Sequence, residues 1–492
     1  MGSGMIRTLS QAAQAVGGTL IGPDAPLEGP VVTDSRQAAP GSLFVAVAGE
    51  RTDGHAHLAS AAALGAVGAL VSDLDAARQG LAGQDSPDSQ ESRAGDEPPL
   101  GLILVSDTVE ALGALARTHL ARLRAAARDR GSDLSVVAMT GSVGKTTTKD
   151  LTRQLLAAAG PTVAPRASFN NEIGLPLTVL EADESTRYLV LEMGASGPGH
   201  IAYLTDIAPL DAAAILMIGH AHMGGFGSIE GVAQAKAEIL DGLEPHGTAL
   251  LNADDPRTAA LADRAPGEVL TFSRQGPADI RAQGVELGRG ARASFDLILP
   301  GLEGPRRVTL AVAGEHNVSN ALAAAGLALS AGVPADLIAE QLAAVSIESP
   351  HRMDIQTLGG DLLLIDDSYN ANIDSMTAAL AALPDLAAQR RRVVVVSEML
   401  ELGESSQADH RRTGELAHQA GAALLIGIGE GTAPALKAAG ALGTRTLAFP
   451  DAATAIDQIG TLLQDGDAVL VKGSNGSGAW RLADHLKEAR PR

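Results

Sequence analysis

Short apolar runs, glycine-containing turns and longer amphipathic stretches alternate along the whole chain. In the first eighty residues, VVTDSR and GSLFVAVAG are predicted to be strands, and HLASAAALGAVGALV is predicted to be a helix followed by another strand. A helical pattern then begins at Thr108 and ends in the sequence RGS at 130–132. An amphipathic helix that ends in a glycine and a serine favours a linker into a second domain.

Strand candidates and helical segments continue to alternate beyond Leu134. The run LSVVAMT leads into a glycine-rich turn and a helix, and a further series begins near Ser349, after the helical segment ALAAAGLALSAG. The remaining strand candidates, in chain order, are YLVLEM, AAAILMI, TALLN, DLLLIDDS, RVVVVSE, ALLIGIG and DAVLVKG. Alternation of this kind predicts an α/β fold with parallel sheets that carry helices on both faces.

Composition narrows the range of functions. The 492 residues exceed what one hydrophobic core usually supports, so two or three domains are expected. Apolar residues make up 45% of the chain, but aromatic residues only 2%, too few for a platform that stacks single-stranded nucleic acid. The formal charge of −21 disfavours nucleic acid and anionic lipid as partners. Local basic groups, backbone amides or a metal must therefore hold any anionic substrate.

The cellular compartment follows from what the sequence lacks. Without cysteine there is no disulfide framework, thiolate zinc site or cysteine nucleophile, which fits a reducing compartment. The N-terminus shows no charged segment followed by an apolar run, so no signal peptide is predicted. The long uncharged segment 212–229 contains histidines and several glycines, which make it a poor membrane span. From these absences we expect a soluble cytoplasmic protein.

The polar, acidic segment 84–99 is predicted to be a disordered surface insertion.

The strongest chemical signal is TGSVGKTTTKD, residues 140–150, between a predicted strand and a predicted helix. Its glycines let backbone N–H groups converge on phosphate oxygens, and the helix N-terminus adds positive potential. Lys145 can reach the terminal phosphates, and the Thr146 hydroxyl can ligate Mg²⁺. The general P-loop pattern starts with a glycine where this chain has Met139, but the shorter form G-x-x-G-K-T is intact. The predicted nucleotide-binding residues are Gly141, Ser142, Val143, Gly144, Lys145, Thr146 and Thr147.

A P-loop alone does not distinguish a switch, a kinase and a ligase, but six further motifs occur in a fixed order. They are SFNNEIGLPLTVL at 168–180, LEMGA at 191–195, AHMGGFGSIEGVAQAKAEIL at 221–240, GEHNVSNALAAA at 314–325, LIDDSYNANIDSM at 364–376 and LVKGS at 470–474. In these motifs, and in DSR at 34–36, the chain resembles the Mur ligase family. The resemblance covers nearly the whole chain, and six ordered motifs are far more specific than one loop.

The resemblance implies an α/β fold of three domains. These are a UDP-sugar-binding domain over 1–107, a central ATP-binding domain with a parallel P-loop sheet over 108–345, and a Rossmann-like C-terminal domain over 346–492 that binds the incoming dipeptide. The implied activity joins D-alanyl-D-alanine to the terminal carboxylate of UDP-N-acetylmuramoyl tripeptide through an acyl phosphate, in peptidoglycan precursor synthesis. The implied cofactors are ATP and Mg²⁺. We expect a monomer that acts on small molecules, without nucleic-acid or membrane partners.

The resemblance also implies a magnesium site. Its implied ligands are Thr146, Glu192, His222 and Lys236, and the implied catalytic residues are Lys145, Glu192, His222 and Lys236. In this family the lysine that corresponds to Lys236 is typically carbamoylated, which requires a deprotonated amine shielded from water and a nearby cation. From the residues alone, a solvent-facing Glu192, a structural His222 and an exposed Lys236 are the alternatives.

Further nucleotide contacts are implied on the C-terminal side of the P-loop. His316 and Asn317 correspond to residues at the adenine, with Asn320 in support, although asparagines at a helix start also serve as N-caps. Arg352 corresponds to an arginine that contacts an ATP phosphate, and an ordinary surface arginine is the alternative. Asp367 corresponds to the residue that binds the ribose hydroxyls.

The implied substrate residues lie in three segments. They are Asp34, Ser35 and Arg36 for the UDP-sugar, Asn170 and Asn171 for the muramoyl peptide, and Tyr369, Asn370 and Asn372 in SYNAN. SYNAN is the feature that most distinguishes dipeptide-adding ligases from relatives that add one amino acid. The alternatives are that Arg36 caps a turn, that the asparagines are ordinary loop residues and that SYNAN is a helix-initiating loop.

Three positions depart from the family pattern. Ser397 and Asn475 stand where glycine and arginine are more common, and Ser196-Gly197 replaces a more usual Asn-His. Two rival functions are a sibling ligase that adds diaminopimelate or lysine, which SYNAN disfavours, and a P-loop ATPase switch, which would leave SYNAN without a role. A folylpolyglutamate ligase would not explain DSR. The third residue of the tripeptide stays open between diaminopimelate and lysine.

Overall fold

The structure of the protein is a computed structural model that describes residues 6–49, 52–82, 100–219 and 226–491. The predicted acidic insertion at 84–99 and the predicted metal ligand His222 lie outside the described residues.

The strands are β1 (Thr19–Ile21), β2 (Val31–Val32), β3 (Leu43–Val45), β4 (Gly68–Val71), β5 (Gly101–Leu104), β6 (Ser135–Thr140), β7 (Thr162–Val163), β8 (Tyr188–Glu192), β9 (Leu210–Ile215), β10 (Leu243–Asn252), β11 (Val269–Ser273), β12 (Ile280–Leu287), β13 (Arg292–Ile298), β14 (Arg306–Ala313), β15 (Asp354–Leu358), β16 (Leu362–Asp367), β17 (Arg392–Ser397), β18 (Leu424–Ile428), β19 (Arg445–Phe449) and β20 (Ala468–Lys472).

The α-helices of the described ranges are α1 (Leu9–Val16), α2 (Leu58–Ala63), α3 (Leu74–Ala82), α4 (Thr108–Asp129), α5 (Lys145–Ala157), α6 (Gly174–Leu180), α7 (His200–Ile207), α8 (Ile229–Asp241), α9 (Pro256–Ala259), α10 (Asn317–Ser330), α11 (Ala335–Gln341), α12 (Ile373–Ala387), α13 (Ser406–Gln419), α14 (Ala433–Ala441), α15 (Ala452–Leu462) and α16 (Ala479–Ala489).

These strands form three sheets. Their orders are β1-β5-β4-β3-β2, then β14-β13-β12-β11-β10-β9-β6-β8-β7, and finally β15-β16-β20-β17-β18-β19. Most pairs are parallel, which confirms the predicted α/β class.

The sheets also contain antiparallel pairs that the sequence pattern did not predict. These pairs are β1–β5, β12–β13, β13–β14 and β15–β16. The connection from β12 to β13 spans only 288–291, whereas a parallel pair requires a crossover of about a dozen residues or more. The short connection therefore permits only a hairpin.

The chain folds into two compact units. Unit 1 comprises Met1–Val136, Gly160–Met193 and Ala202–Leu210, and unit 2 comprises Val137–Ala159, Gly194–Ile201 and Asp211–Arg492. The three domain boundaries implied by the family resemblance stay a prediction.

Both the five-stranded and the six-stranded sheet have an apolar core on each face. In β3, Leu43 and Val45 belong to one core and Phe44 to the other. In β17, Val393 and Val395 pack on one face, and Val394 and Val396 on the opposite face. Because alternate side chains of a strand point to opposite faces, a strand buried on both faces has a continuous apolar sequence. Alanine and branched aliphatic residues dominate these cores.

The strand ends position the chemically interesting residues. The phosphate-loop sequence follows β6 and leads into α5, while Glu192 and Asp367 are the last residues of β8 and β16. The predicted strand VVTDSR is extended only at Val31–Val32, because Asp34 caps a 3₁₀ turn at Ser35–Gln37. No helix in the described ranges has the length and apolar character that a membrane span requires.

Candidate active site

The loop 141–144 and the start of α5 form a phosphate-binding arrangement in unit 2. Gly144 adopts φ 86°, and a Cβ atom there would lie 2.5 Å from Asn320 Oδ1, so glycine is needed for both conformation and space. The Ser142 hydroxyl donates to the Gly219 carbonyl (3.0 Å), and Lys145 Nζ donates to the Gly141 carbonyl (2.8 Å). The N-terminus of α5 therefore faces a curled loop, as the sequence predicted. Val143 and Thr147 are half-buried in the same segment.

The beginning of α10 packs directly against this loop. Thr148 Oγ1 donates to Asn320 Oδ1 (3.4 Å), Asn320 Nδ2 donates to Asn317 Oδ1 (2.8 Å), and Asn317 Nδ2 donates to the Ala313 carbonyl (2.6 Å). Asn317 and Asn320 are both buried. This chain of amides fixes the loop to the helix. Neither asparagine is the N-cap, which is the half-buried His316, a residue that makes no side-chain cap hydrogen bond.

His316 lies near charged residues of the C-terminal sheet, and its surroundings lower the pKa of its imidazole, which favours the neutral ring. Burial lowers its pKa, against the opposing attraction of Asp367. A neutral ring offers both a donor and an acceptor to a ligand such as a base edge. The structure thus brings His316 near Asp367, the residue implied for the ribose.

Asp367 is held by a lysine that the sequence analysis did not identify. Lys472 Nζ lies 2.6 Å from Asp367 Oδ2 and 3.0 Å from the Asn370 carbonyl oxygen, and the side chain of Lys472 is 2% exposed. Lys472 belongs to the LVKGS motif at the end of β20, next to β16 in the sheet. The LVKGS motif was the signal that could have identified Lys472, because a lysine at the end of a buried strand needs a partner for its charge.

Arg352 connects the C-terminal sheet with the phosphate loop. Its NH2 group donates to Thr146 Oγ1 (3.1 Å), and its guanidinium carbon lies 4.3 Å from the centre of the Tyr369 ring. Stacking and hydrogen bonding together fix the plane of a guanidinium. Arg352 is therefore not an ordinary surface arginine.

The SYNAN segment reaches the same loop. Asn372 caps α12 in a capping box with Ser375, and its Nδ2 donates to the Ser142 carbonyl at 3.5 Å. Asn370 is exposed, and its Oδ1 accepts a hydrogen bond from the Ala371 amide. The helix-initiating alternative is therefore correct for Asn372, and contact with the P-loop is compatible with it.

Lys236 lies inside α8 and is 2% exposed, so the exposed-lysine alternative is wrong. Burial, together with the positive charge of Lys145, lowers the pKa of Lys236 well below its usual range. Within the described part of the chain no carboxylate forms an ion pair with its amine. Two residues further along α8, Glu238 accepts a hydrogen bond from the Gly199 amide (2.7 Å).

Glu192 is a buried carboxylate of unit 1. It is 1% exposed, so the solvent-facing alternative is wrong, and Oε1 accepts a hydrogen bond from Asn170 Nδ2 (2.7 Å). Among the residues that the structure describes, none forms a hydrogen bond with Oε2. A buried carboxylate oxygen without a donor is costly unless a cation binds it. Asn171 Oδ1 accepts from the Gly174 amide at the start of α6.

The DSR segment, also in unit 1, forms a local ion pair. Arg36 NH2 lies 2.7 Å from Asp34 Oδ2, and hydrogen bonds from the side chain and backbone of Arg36 hold the pKa of Asp34 at about 2. The Arg36 side chain is 88% exposed, whereas Ser35 is half-buried. The segment presents a charged, solvent-facing turn. The side chain that caps this turn is that of Asp34, so the alternative that Arg36 caps it is wrong.

Two of the departures from the family pattern lie close together. Ser397 Oγ lies 2.5 Å from Ser477 Oγ, and a Cβ atom at Gly473 would lie 1.6 Å from Ser397 Oγ. Asn475 begins the 3₁₀ turn that contains Ser477. The serine therefore requires the glycine of LVKGS. Ser196 Oγ contacts His200 Nδ1 (3.2 Å).

Comparison with known proteins identifies the family of this chain. The family models described as Mur ligase family, catalytic domain; Mur ligase middle domain; and Mur ligase, glutamate ligase domain match residues 30–119, 139–328 and 351–475. The UDP-N-acetylmuramoyl-tripeptide–D-alanyl-D-alanine ligase of Mycobacterium tuberculosis is 40% identical over 517 aligned positions, which cover 97% of each chain.

Solved structures give the same result. A crystal structure of MurF from Acinetobacter baumannii has a TM-score of 0.80 at 32% identity and covers 97% of this chain and 98% of its own. The MurF ligase from Thermotoga maritima in complex with ADP has a TM-score of 0.73 at 26% identity, over 94% and 98% of the two chains. This chain therefore belongs to the Mur ligase family.

Proposed function

We propose that this chain is an ATP-dependent ligase that joins D-alanyl-D-alanine to the terminal carboxylate of UDP-N-acetylmuramoyl tripeptide, a step of peptidoglycan precursor synthesis. The observation that carries the proposal is the contact between the phosphate loop and the C-terminal segment 352–372. Arg352 donates to Thr146, and Asn372 donates to the Ser142 carbonyl. An ATPase switch needs the loop alone, whereas a ligase needs the loop and an acceptor segment together.

The first chemical step is the attack of the tripeptide carboxylate on the γ-phosphorus of ATP. A carboxylate oxygen bonds to phosphorus, the bridging P–O bond breaks, and ADP leaves with the bond electrons. Because two anions must approach each other, positive groups are needed around the phosphates. Lys145, Arg352 and the N-terminus of α5 provide them in unit 2.

The second step forms the peptide bond. The free amine of the dipeptide attacks the acyl carbon, the tetrahedral intermediate expels phosphate, and the amine nitrogen loses a proton. The chain needs no nucleophile of its own, so positioning of the two substrates accounts for much of the rate. SYNAN is proposed to receive the dipeptide, DSR the UDP-sugar, and Asn170 and Asn171 the muramoyl peptide.

The nucleotide is proposed to lie between the loop 141–147 and the start of α10. His316 and Asn317 would receive the adenine with Asn320 in support, and Asp367, held by Lys472, would bind the ribose hydroxyls. A neutral His316 fits a base edge, and a carboxylate at a strand end fits two hydroxyls.

Oxygen atoms of unit 1 and of unit 2, each taken by itself, are of the kind that a hard divalent cation prefers. The Oε2 atom of Glu192 is buried and lacks a hydrogen-bond donor within the described ranges, and the Thr146 hydroxyl stands at the start of α5. Glu192, Thr146, His222 and a carbamoylated Lys236 are the proposed ligands. Mg²⁺, when bound, would neutralise charge on the phosphates.

Lys236 fits carbamoylation because its amine is buried and its pKa is lowered. The neutral amine attacks CO₂, an N–C bond forms, and the nitrogen releases a proton, which leaves a carbamate. This modification replaces an isolated buried amine with an oxygen anion that a cation can bind.

We place the ligase reaction in the cytoplasm and propose that the enzyme acts as a monomer.

The experiment is a product analysis with one variable. Purified protein, ATP, Mg²⁺ and UDP-N-acetylmuramoyl tripeptide are incubated with D-Ala-D-Ala, D-Ala, diaminopimelate, lysine or no amine. The proposal requires ADP release that depends on D-Ala-D-Ala and a product heavier by that dipeptide less one water. Release that depends on a single amino acid would indicate the sibling ligase, and amine-independent release an ATPase. A parallel series with the lysine-containing tripeptide identifies the third residue.

A further inference from the structure

Arg352 lies between two residues that both adopt a left-handed backbone. His351 has φ 58° and Met353 has φ 49°. For residues other than glycine this conformation is sterically unfavourable. Such backbone persists only where neighbouring contacts hold it in place, and it is concentrated at functional sites.

The contacts that hold this backbone come from the end of β16. The His351 carbonyl accepts a hydrogen bond from the Tyr369 amide (3.1 Å), and the Met353 amide donates to Asp367 Oδ1 (3.2 Å). On the other flank, His351 Nδ1 donates to Asp366 Oδ2 (2.8 Å). Two consecutive carboxylates therefore hold the two residues on either side of Arg352.

Asp366 is a rigid anchor for the imidazole. Its side chain is fully buried and also accepts hydrogen bonds from Ser368 Oγ (2.5 Å) and Lys487 Nζ (2.6 Å). Lys487 in addition contacts Asp354 (3.0 Å), which is paired with Asp366 across β15 and β16. With both oxygens of Asp366 bonded, its orientation is fixed.

A metal site is not the explanation for this group. His351, Asp366 and Asp484 place three ligand atoms within 4.8 Å of one another. The ammonium group of Lys487, however, lies 2.6 Å from Asp366 and 3.9 Å from Asp484, and it already supplies the positive charge. The cluster is a hydrogen-bonded support.

We propose that His351 is a positioning residue that acts through Arg352. Its bond to Asp366 keeps the 351–353 backbone in the conformation that stacks Arg352 on Tyr369 and directs the guanidinium to Thr146. The inference rests on the proposed function in one respect, namely that an ATP phosphate lies at this guanidinium. His351 itself contacts neither nucleotide nor substrate in this account.

The test distinguishes the effect of the His351 imidazole from the effect of the left-handed backbone at this position. Glycine adopts the observed φ without cost, so His351→Gly removes the imidazole bond without adding strain. Asparagine also tolerates this φ, and its Nδ2 can donate to Asp366, so His351→Asn is the conservative variant. Arg352→Ala and the double variant complete a cycle. His418→Ala is the matched control, because His418 is half-buried and its Nδ1 contacts Thr444 Oγ1 (3.0 Å), away from Arg352.

The readout is calorimetric affinity for a non-hydrolysable ATP analogue and for AMP, with kcat and KM for ATP. His351→Gly should weaken the analogue about fivefold, as expected for one lost hydrogen bond, and leave AMP unchanged. KM for ATP should rise more than kcat falls. His351→Asn should restore most of the affinity, and His418→Ala should change nothing. In the Arg352→Ala background, His351→Gly should have no further effect.

Two results would overturn the proposal: unchanged analogue affinity in His351→Gly with a lower melting temperature, or additive effects of the two single variants. Should His351→Gly not fold, weak analogue affinity of a well-folded His351→Asn would likewise contradict it. A wild-type protein that binds the analogue but makes no dipeptide product would contradict the proposed function, and the cycle would still decide the role of His351.

Discussion

Two lysines of unit 2 are almost completely buried but have opposite surroundings. Lys149 on α5 is 1% exposed, and its amine lies 2.5 Å from Asp150 Oδ1 and 3.0 Å from Ser349 Oγ. Lys236 on α8 is 2% exposed, and the charged group that acts on it is Lys145. A buried ammonium with a carboxylate is a structural ion pair, whereas a buried amine without one becomes neutral and reactive. Burial alone therefore does not identify a catalytic lysine.

The ion pair of Lys149 belongs to the path between the phosphate loop and the C-terminal sheet. Asp150 Oδ2 accepts from the amides of Glu348 and Ser349, and Arg153 forms a further ion pair with Glu348. These contacts attach the segment before β15 to the helix that follows the loop. Removal of one partner would leave a buried charge.

Among the variants of these charged residues, Lys149→Met should have the largest effect, and that effect is on stability. It leaves the Asp150 carboxylate buried without its cation, so the free energy of unfolding should fall by about 3–5 kcal/mol. Urea unfolding followed by circular dichroism measures the loss. Lys149→Met combined with Asp150→Leu should recover part of it, because no charge remains. A loss below about 1 kcal/mol for the single variant would show that the pair contributes little.

Lys236→Met should have the opposite effect, namely a loss of activity without a loss of stability. Activity should fall by about 10²–10³-fold, as for the loss of one preorganised electrostatic group, while stability is unchanged or higher. Lys236→Arg should be equally inactive because a guanidinium cannot form the carbamate. Because the pKa of Lys236 is lowered, its neutral form persists to a lower pH than that of a free lysine. Carbon-13 NMR under labelled CO₂ should therefore detect a carbamate in the wild-type protein that is absent from Lys236→Met. Full activity of Lys236→Met would contradict the carbamoylation of Lys236.

Lys472 combines both properties, since it is buried and paired but lies at the proposed ribose site. Lys472→Met should raise KM for ATP about tenfold, because Asp367 loses a charged hydrogen bond. KM for D-Ala-D-Ala should change less. Steady-state kinetics with each substrate varied in turn decides this, and an equal rise in both values would mean a general loss of structure.

The ion pair of Asp34 and Arg36 should have the smallest effect, because water surrounds it. The pKa of Asp34 is about 2 against an ordinary value of 3.8. The carboxylate is favoured in the folded state, so its contribution to stability is present above pH 3.8 and is lost as the pH falls through about 2. In Arg36→Gln, NMR titration should move this pKa toward 3.8 with no measurable change in melting temperature at pH 7. An unchanged pKa would exclude Arg36 as the cause.

Much of the secondary structure could be predicted because each strand, and the phosphate loop, is determined by residues that are neighbours in the sequence. Runs such as RVVVVSE are apolar throughout, as a strand buried on both faces must be, and the phosphate loop is a continuous segment whose glycines define its shape. The antiparallel strands β13 and β14 were missed because their sequences contain charged residues on an exposed face.

The side-chain pairs of the site could not be predicted from periodicity. Arg352 and Thr146 are separated by 206 positions, and Lys149 and Ser349 by 200. Family resemblance supplied the implied roles of Arg352 and Asp367, but the partners Lys472 and His351 emerge only once the strands are placed side by side. Contacts of this kind depend on tertiary packing, which local pattern does not encode.

The most direct test of the central claim is the transfer of oxygen-18 from the tripeptide carboxylate to inorganic phosphate. The labelled tripeptide is incubated with ATP, Mg²⁺ and D-Ala-D-Ala, and the phosphate is analysed by mass spectrometry. Attack of the carboxylate on ATP predicts one labelled oxygen in each phosphate released. Phosphate without label would mean that water attacks ATP, and it would contradict the ligase mechanism.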